Sequence, residues 1–371
     1  MKLKHLAATA ACTTALLAIP AVPASAAQPQ PARPGVAVDV EAGSPKEVLA
    51  YWTAERMERA AANPAPVRAV RAPQDGPDRR SSAAGTPHLT ASAPAVRPTA
   101  APAGRTTLSS TTSEASLQAA AAEDIAVAQD VPASTSIPNV VVGKLFYKAP
   151  DGQDHTCSAS VIVSDTANTI WTAGHCVHLG DGSGEAGWST DIIFVPGYKD
   201  GQEPWGVWVA DRKYAPTQWI EDGDHQSADL AAVVLQPNTT YGRLQDNVGA
   251  LGYQFGSVTD HQDAFTVGYP GEGYQRTDMD GEQMMYCYGN TEDAQPFWPL
   301  DDRLKMDCDM GKGASGGPMF IGALGGNPQI VGANSHYESD ATTGERISDD
   351  LFSSLHDANA VAVINEVDAS A

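Results

Sequence analysis

The chain has 371 residues with 23 basic and 45 acidic side chains, a formal net charge of −22. Residues 136–371 alone carry 11 Lys and Arg against 34 Asp and Glu, net −23. A surface this acidic repels phosphate backbones, which excludes nucleic acid as a partner and reads as a solubility device.

In chain order, Lys2 and Lys4 precede an alanine-rich apolar run from Leu6 to about Val22, followed by Ala24-Ser25-Ala26. This three-part pattern predicts a cleaved secretory signal over residues 1–26; Pro20, Pro23 and the short apolar core argue against a membrane anchor. No later run is apolar enough to span a bilayer, so the product is expected to be soluble and extracellular. Residues 27–135 are rich in Ala, Pro, Ser and Thr and contain no cysteine, which predicts a largely flexible leader. One island departs from this. Ser44-Pro45-Lys46-Glu47 begins a capping box with Pro at the first helical position, and Val48, Leu49, Tyr51, Trp52 and Met57 continue it, predicting a short helix near 45–60. An amphipathic helix inside such a leader reads as part of a propeptide that docks on the domain behind it, as inhibitor or folding aid.

From about residue 136 the texture changes to short β-like runs divided by Gly, Asp, Asn and Pro. They are Val140–Tyr147, Ser158–Val163, Thr169–Thr172, Asp191–Val195, Gly206–Val209, Leu230–Leu235, Ala264–Val267, Met284–Tyr288, Met319–Ile321 and Ile330–Ala333. Many short strands with frequent turns predict an all-β barrel or sandwich, and 136–371 is a suitable length for one such domain. At the end of the chain, Asp357 caps a predicted helix with Val361, Ile364 and Val367 on one face.

Cys12 leaves with the signal, so Cys157, Cys176, Cys287 and Cys308 remain. An even number in an exported chain predicts disulfides. Of the three possible pairings, proximity in sequence favours Cys157–Cys176 and Cys287–Cys308. Neither pair has the tight spacing of a zinc knuckle, and no metal or cofactor is expected.

Three segments carry chemistry. Thr172-Ala173-Gly174-His175-Cys176 follows an apolar strand, where a disulfide at Cys176 fixes the imidazole within hydrogen-bond reach of a nucleophile, as a general base requires. Gly311-Lys312-Gly313-Ala314-Ser315-Gly316-Gly317-Pro318 places glycines on both sides of a serine, which allows a sharp turn and lets the N–H groups of Gly313 and Ser315 converge as an oxyanion hole. Between them, Asp229 stands before the apolar run Leu230–Leu235, where a carboxylate is partly buried and needs a partner such as an imidazole N–H. The order is His…Asp…Ser, with separations of 54 and 86 residues.

With these three motifs in this order, residues 136–371 resemble the chymotrypsin/trypsin-like serine peptidases, and more narrowly the actinobacterial secreted V8-like (glutamyl endopeptidase-like) members. The Tyr51-Trp52-Thr53…Glu55-Arg56-Met57 island is similar to leaders of actinobacterial peptidases. The resemblance implies two six-stranded antiparallel β-barrels with the site between them, His175 and Asp229 on the first and Ser315 on the second. It implies that His175 takes the proton of Ser315 Oγ, that Asp229 orients and stabilises the imidazole, and that Gly313 and Ser315 N–H hold the oxyanion. Cys157–Cys176 matches the family's bridge beside the histidine. The expected protein is a monomeric, secreted serine endopeptidase acting on proteins or peptides, made as a pre-pro-protein.

Two departures matter. Residue 314 is Ala where trypsin has an aspartate that receives the freed N-terminus, so activation is expected by removal of the leader, at Arg105 or within 125–137. Asn334, Ser335, His336 and Tyr337 align with the wall of the specificity pocket, and glutamyl endopeptidases carry a histidine where this chain has Asn334, which speaks against a preference for Glu. Asp309 stands six residues before Ser315, the offset of trypsin's pocket-floor aspartate, and a carboxylate there favours Arg or Lys. Two rivals are weaker. An α/β-hydrolase elbow over Gly313-x-Ser315-x-Gly317 needs a following helix and a downstream histidine, whereas Met319-Phe320-Ile321 is strand-like. A catalytically silent binding module on the same fold is expected to lack a triad residue, and all three are present.

Overall fold

The computed structural model describes residues 34–65, 70–71, 88–99, 124–132, 139–294, 303–340 and 342–371. The predicted signal at 1–26 and Arg105 lie outside them. The leader contributes β1 (Val36–Val40), α1 (Pro45–Tyr51), α2 (Ala54–Ala61), β2 (Val70–Arg71), β3 (Ala91–Ala93) and β4 (Ile125–Asp130). Next come β5 (Val142–Lys148), β6 (Asp154–Val161), β7 (Thr169–Thr172), β8 (Thr190–Pro196), β9 (Trp208–Pro216), α3 (Thr217–Asp222), β10 (Ala231–Leu235) and α4 (Leu244–Val248). The remainder is β11 (Gly252–Phe255), β12 (His261–Gly268), β13 (Met285–Asp293), β14 (Leu304–Asp307), β15 (Pro318–Ile321), β16 (Gln329–Ala333), β17 (Glu338–Ser339), β18 (Asp350–Ser353) and α5 (Ala358–Ala369).

Strands β5 to β10 form a closed antiparallel barrel in the order β9-β10-β7-β6-β5-β8, with β8 returning to β9. Its strands are buried on both faces, with Ile170, Phe194 and Val233 on one and Phe146 and Trp171 on the other, all fully buried. Burying a side chain of this size contributes about 1.5–3 kcal/mol each. The second sheet runs β18-β14-β13-β12-β15-β16-β11-β3, with β4 paired beside β13. It differs from a six-stranded antiparallel barrel in two respects: it has nine strands, two of them from the leader, and β11 pairs with β16 in parallel. All ten predicted runs fall on or overlap strands. The unpredicted ones include β14 (LKMD) and β18 (DLFS), four residues each and too short for a periodicity to register.

The predicted leader helix is two helices. Ser44 Oγ caps Glu47 N–H while the Glu47 carboxylate accepts from Ser44 N at 3.0 Å, closing the capping box of α1. Thr53 then caps Arg56 N–H at the start of α2, and taking Thr53 out of the helix for this purpose divides the run. Val48, Trp52 and Met57 are buried; Trp52 Nε1 donates to the Asp191 carbonyl, and Tyr51 Oη and Arg56 Nε both reach Asp154 at 2.6 Å. The described parts of the leader are more ordered than its composition implies. β1, β3 and β4 lie antiparallel along β9, β11 and β13, and β2 lies parallel to β17. Edge strands offer unpaired backbone N–H and C=O to any extended segment, so Ala- and Ser-rich stretches dock through the main chain without an apolar pattern.

At the other end, Asp357 caps α5, whose Val363, Ile364 and Val367 are buried against β9 and β10. Among the described residues no helix is long and apolar enough to cross a membrane.

Candidate active site

Strand β7 ends at Thr172, and the chain then makes a single tight turn over Gly174-His175-Cys176. Cys176 is bonded to Cys157 of β6, with a Cα–Cα distance of 6.2 Å. Trp219 of α3 packs directly on the turn: a side-chain carbon at Gly174 would lie 2.9 Å from its indole. The imidazole of His175 is thereby clamped between a disulfide and a tryptophan, with its side chain 11% exposed. The other predicted bridge, Cys287–Cys308, is also formed. Both pairs of sulfurs are thus committed, which removes them as metal ligands in the two Cys-containing clusters, Cys157-His175-Cys176 and Cys287-Cys308-Asp309.

Asp229 is fully buried two residues before β10. Its Oδ1 accepts the backbone N–H of His175 at 2.9 Å, and Oδ2 lies 2.9 Å from His175 Nδ1. Burial alone pushes this carboxyl up, but the charge and hydrogen bond of His175, with a further contribution from His225, outweigh it and hold Asp229 well below the usual carboxylate range. An ionised carboxylate only accepts, so Nδ1 carries the hydrogen and Nε2 is left with its lone pair. Nε2 has no hydrogen-bond partner among the described residues. The site therefore holds a fixed imidazole with a free basic nitrogen.

Ser315 sits in the loop between β14 and β15, and is almost fully buried. Gly313 and Gly316 take φ of +93° and +78°, values that a Cβ strains. At Gly316 space also forbids one, because it would fall 2.0 Å from Thr172 Oγ1 and 2.4 Å from the Ser158 carbonyl. The Ser315 carbonyl accepts Ser158 N–H at 2.7 Å and lies 3.8 Å from Cys176 Sγ. The serine thus lies beside the disulfide that fixes His175. The N–H groups of Gly313 and Ser315, both in buried residues, donate to no acceptor among the described residues. Unpaired buried N–H groups are rare, and two of them two residues apart beside a serine are suited to an incoming oxyanion.

Asn334 braces this loop. Its Nδ2 donates to the Ala314 carbonyl at 3.1 Å and its Oδ1 accepts from Thr266 Oγ1 at 2.6 Å, while its main chain bonds to Gly316 and Gly317. Asn334 is fully buried. Ser335 and His336 are likewise buried. Ser335 Oγ donates to Asp229 Oδ2 and meets His336 Nδ1 at 2.7 Å. Tyr337 alone of the four is partly open; Glu272 accepts from its hydroxyl at 3.2 Å, and burial with this neighbour pushes the phenol up to about 12.

Asp309 is already partnered in the full chain. Its carboxylate accepts Ala128 N–H at 2.8 Å and pairs with Arg276 Nη1 at 3.1 Å. A charge already matched inside the protein does not stand free as a pocket floor, and the donor from Ala128 comes from the leader strand β4. His225, whose Nδ1 stands 3.5 Å from Asp229 Oδ2, had no signal in the sequence beyond its position four residues before the aspartate.

The leader reaches this region too. Ala65 N–H donates to the Thr156 carbonyl at 2.9 Å, His155 Nδ1 meets the Asn63 carbonyl at 3.1 Å, and Ala65 is fully buried. A side-chain carbon at Gly313 would come within 3.3 Å of Pro64 Cβ, so residues 63–65 lie against the loop that carries Ser315.

Residues 157–325 match the family model of the trypsin-like peptidase domain. Among solved structures, the chain is similar to the protease Anisep from Arthrobacter nicotinovorans, at 28% identity and a TM-score of 0.54, over 65% of this chain and 99% of the other. It is also similar to the thermostable serine protease AL20 from an extremophilic microorganism, at 26% identity and a TM-score of 0.53, over 63% of this chain and 99% of that one. No curated protein matches the chain.

Proposed function

Because the chain is a serine endopeptidase of the chymotrypsin-like kind, with a trypsin-like peptidase domain over residues 157–325, we propose that it cleaves peptide bonds through a triad of Ser315, His175 and Asp229. The observation that carries this reading is the His175–Asp229 pair, a buried carboxylate holding Nδ1 at 2.9 Å while Nε2 is left unpartnered. Nε2 takes the proton from Ser315 Oγ as the oxygen attacks the scissile carbonyl. The developing oxyanion is received by the N–H groups of Gly313 and Ser315, which have no other described acceptor. The imidazolium, stabilised by Asp229, then protonates the leaving amine, and water repeats the sequence on the acyl-enzyme.

The same reading makes the protein a secreted pre-pro-peptidase. Its support is the predicted signal at 1–26, two disulfides in the peptidase domain, and a leader whose helices and strands pack on that domain. Residues 63–65 crowd Gly313, so the leader acts as an inhibitor until it is removed, and β1, β3 and β4 assist folding by pairing sheet edges. The mature enzyme is a monomer acting on protein or peptide substrates.

The test is covalent labelling. The secreted product of the full chain is treated with a fluorophosphonate, and a Ser315→Ala chain serves as control. Labelling mapped to Ser315, lost in the control, is the expected result. A folded, secreted product that takes no label, or takes it elsewhere, overturns the triad. Cleavage of a random peptide library by a portion of the product left unlabelled then reads the preferred side chain.

A further inference from the structure

A chain of buried hydrogen bonds continues past Asp229 away from His175. Ser335 Oγ donates to Asp229 Oδ2. The same hydroxyl meets His336 Nδ1 at 2.7 Å, and His336 Nε2 meets Arg303 Nη1 at 2.7 Å. Arg303 Nη2 donates in turn to Glu338 Oε1 at 2.9 Å. All of these groups are buried, with His336 at 0% and Arg303 at 2% exposure.

The direction of every bond follows from the last member. A guanidinium has only N–H donors and does not release them. Nε2 of His336 must therefore accept, so the neutral ring carries its hydrogen on Nδ1. Nδ1–H then donates to Ser335 Oγ, and the single hydroxyl hydrogen of Ser335 is directed at Asp229. The opposite tautomer would turn Nδ1 into an acceptor competing with Asp229 for that hydrogen, and would set Nε2–H against Arg303.

The ring has little room to do otherwise. It is stacked on Phe352 at 5.3 Å with planes 10° apart, and the edge of His225 approaches at 5.1 Å. The Arg303 guanidinium lies over the same Phe352 ring, 4.7 Å from its centroid. Main-chain bonds from Ser335 N to the Phe352 carbonyl and from Phe352 N to the His336 carbonyl, at 2.8 and 2.9 Å, hold the strand edge in register. The charged and titratable groups around His336 are Arg303, Glu338, Asp229, His225 and His175. Burial first, and the Arg303 charge next, keep the ring well below the usual histidine range, so it stays neutral.

We propose that Arg303 and His336 are positioning residues, which fix the hydroxyl of Ser335 as a donor to Asp229 and so set the carboxylate that orients His175. The proposal rests on the triad reading above. Its physical content is that Asp229 is charged and fully buried, and a buried carboxylate keeps its place only while its lone pairs are filled by donors with a fixed direction. Glu338 balances the guanidinium so that Arg303 itself can be buried.

The test compares the secreted products of the full chain and its variants by the rate at which a fluorophosphonate phosphonylates Ser315, from pH 5 to 9. Arg303→Met is combined with Glu338→Gln so that no charge is buried alone. The double variant is expected to lose about tenfold in maximal phosphonylation rate with its half-saturating concentration unchanged, the size expected when a group that orients the general base is loosened. Its acid limb moves to higher pH, because an Asp229 with one secure donor fewer holds a proton on His175 more strongly. Arg303→Lys, which also has only donors to offer, recovers most of both losses. A folded double variant with the unaltered rate and pH profile overturns the proposal.

A second measurement does not depend on the variants folding. In a Ser315→Ala chain, nitrogen-15 NMR of the histidine rings is expected to find His336 neutral and protonated on Nδ1 throughout pH 5 to 8. A hydrogen on Nε2, or titration in that window, is incompatible with the proposal. If the unaltered chain itself takes no label at Ser315, the triad reading fails and this one with it. Labelling of the unaltered chain together with an indifferent double variant removes only the role of Arg303 and His336.

Discussion

The two halves of the site are held by different means. His175 and Asp229 belong to the closed barrel, where regular strands, a disulfide and the hydrogen bonds between them place them: β7 delivers the histidine, β10 follows the aspartate, and Cys157–Cys176 ties β6 to the turn. Ser315 belongs to the open-edged second sheet and lies in no strand. Its loop is shaped by two glycines at positive φ and by side-chain bonds from Asn334 and Ser158 to the carbonyls of Ala314 and Gly313. A catalytic base tolerates placement by strong, redundant devices, since only one nitrogen must stay free. An oxyanion hole instead needs main-chain N–H groups withheld from every internal acceptor, which regular secondary structure does not provide. The first half is therefore expected to break in chemistry before it breaks in structure, and the second the other way round.

The largest effect is expected on the barrel side. Asp229→Asn keeps the shape of the side chain but presents an amide that can favour the wrong histidine tautomer, and acylation of Ser315 should slow by about 10⁴-fold. The melting temperature should move far less than the rate. A loss of folding comparable to the loss of rate would show that Asp229 is chiefly structural.

On the loop side, Gly316→Ala should act through stability. A methyl group there meets Thr172 Oγ1 and the Ser158 carbonyl at contact distances no side chain adopts, on a φ of +78°, and the combined clash and strain are expected to cost about 3–5 kcal/mol. Denaturant unfolding of the variant checks this. A stable variant would mean that the loop can shift, and that the Gly313 and Ser315 amides are held more loosely than the two glycine conformations imply.

Acid sharpens the contrast further. His356, fully buried, accepts from Trp171 Nε1 at 2.9 Å and meets the Ser354 carbonyl at 2.8 Å, and burial pushes it down from 6.5 to about 4. Because the folded-state value is the lower one, the stabilisation is complete above about pH 6.5 and is lost as the pH falls towards 4. About 3 kcal/mol is expected to disappear over that window, since a tenfold change in proton affinity between folded and unfolded chains corresponds to about 1.36 kcal/mol. His336 acts in the same direction. Thermal melts at pH 7 and pH 4.5 should therefore differ by less in His356→Gln than in the unaltered chain; equal differences in both would show that His356 does not carry the acid sensitivity.

Asn334→Ala is the milder break. It strips two hydrogen bonds from a fully buried brace and leaves the Ala314 carbonyl without that donor, an expected loss of about 2 kcal/mol in unfolding free energy. The acylation rate should fall as well, since the loop carries the nucleophile, and a fall in stability without any fall in rate would argue that the brace is remote from the chemistry. At the bottom of the scale, Gly325→Ala has open space around the new methyl group, and a change within about 0.5 kcal/mol is expected. It serves as the control for Gly316→Ala.

The sequence by itself offered the candidate chemistry-bearing groups and determined much of the barrel. Glycines flanking a serine, a histidine beside a cysteine and a carboxylate before an apolar strand are local patterns, because turn geometry and strand burial are decided by residues a few positions apart. Both disulfides were legible for the same reason, their cysteines being 19 and 21 residues apart. Only the tertiary structure decided how the polar groups are partnered. Ser335 meets Asp229 across 106 residues and Arg303 meets His336 across 33, while Asp309 is matched by Arg276 and a leader amide rather than left open to a substrate. The docking of the leader's strands was hidden as well, since β1, β3 and β4 attach through main-chain bonds that every sequence can make. Side-chain pattern reveals what a segment buries, but a hydrogen bond between distant groups exists only once the fold has brought donor and acceptor together and removed the water that would otherwise satisfy both.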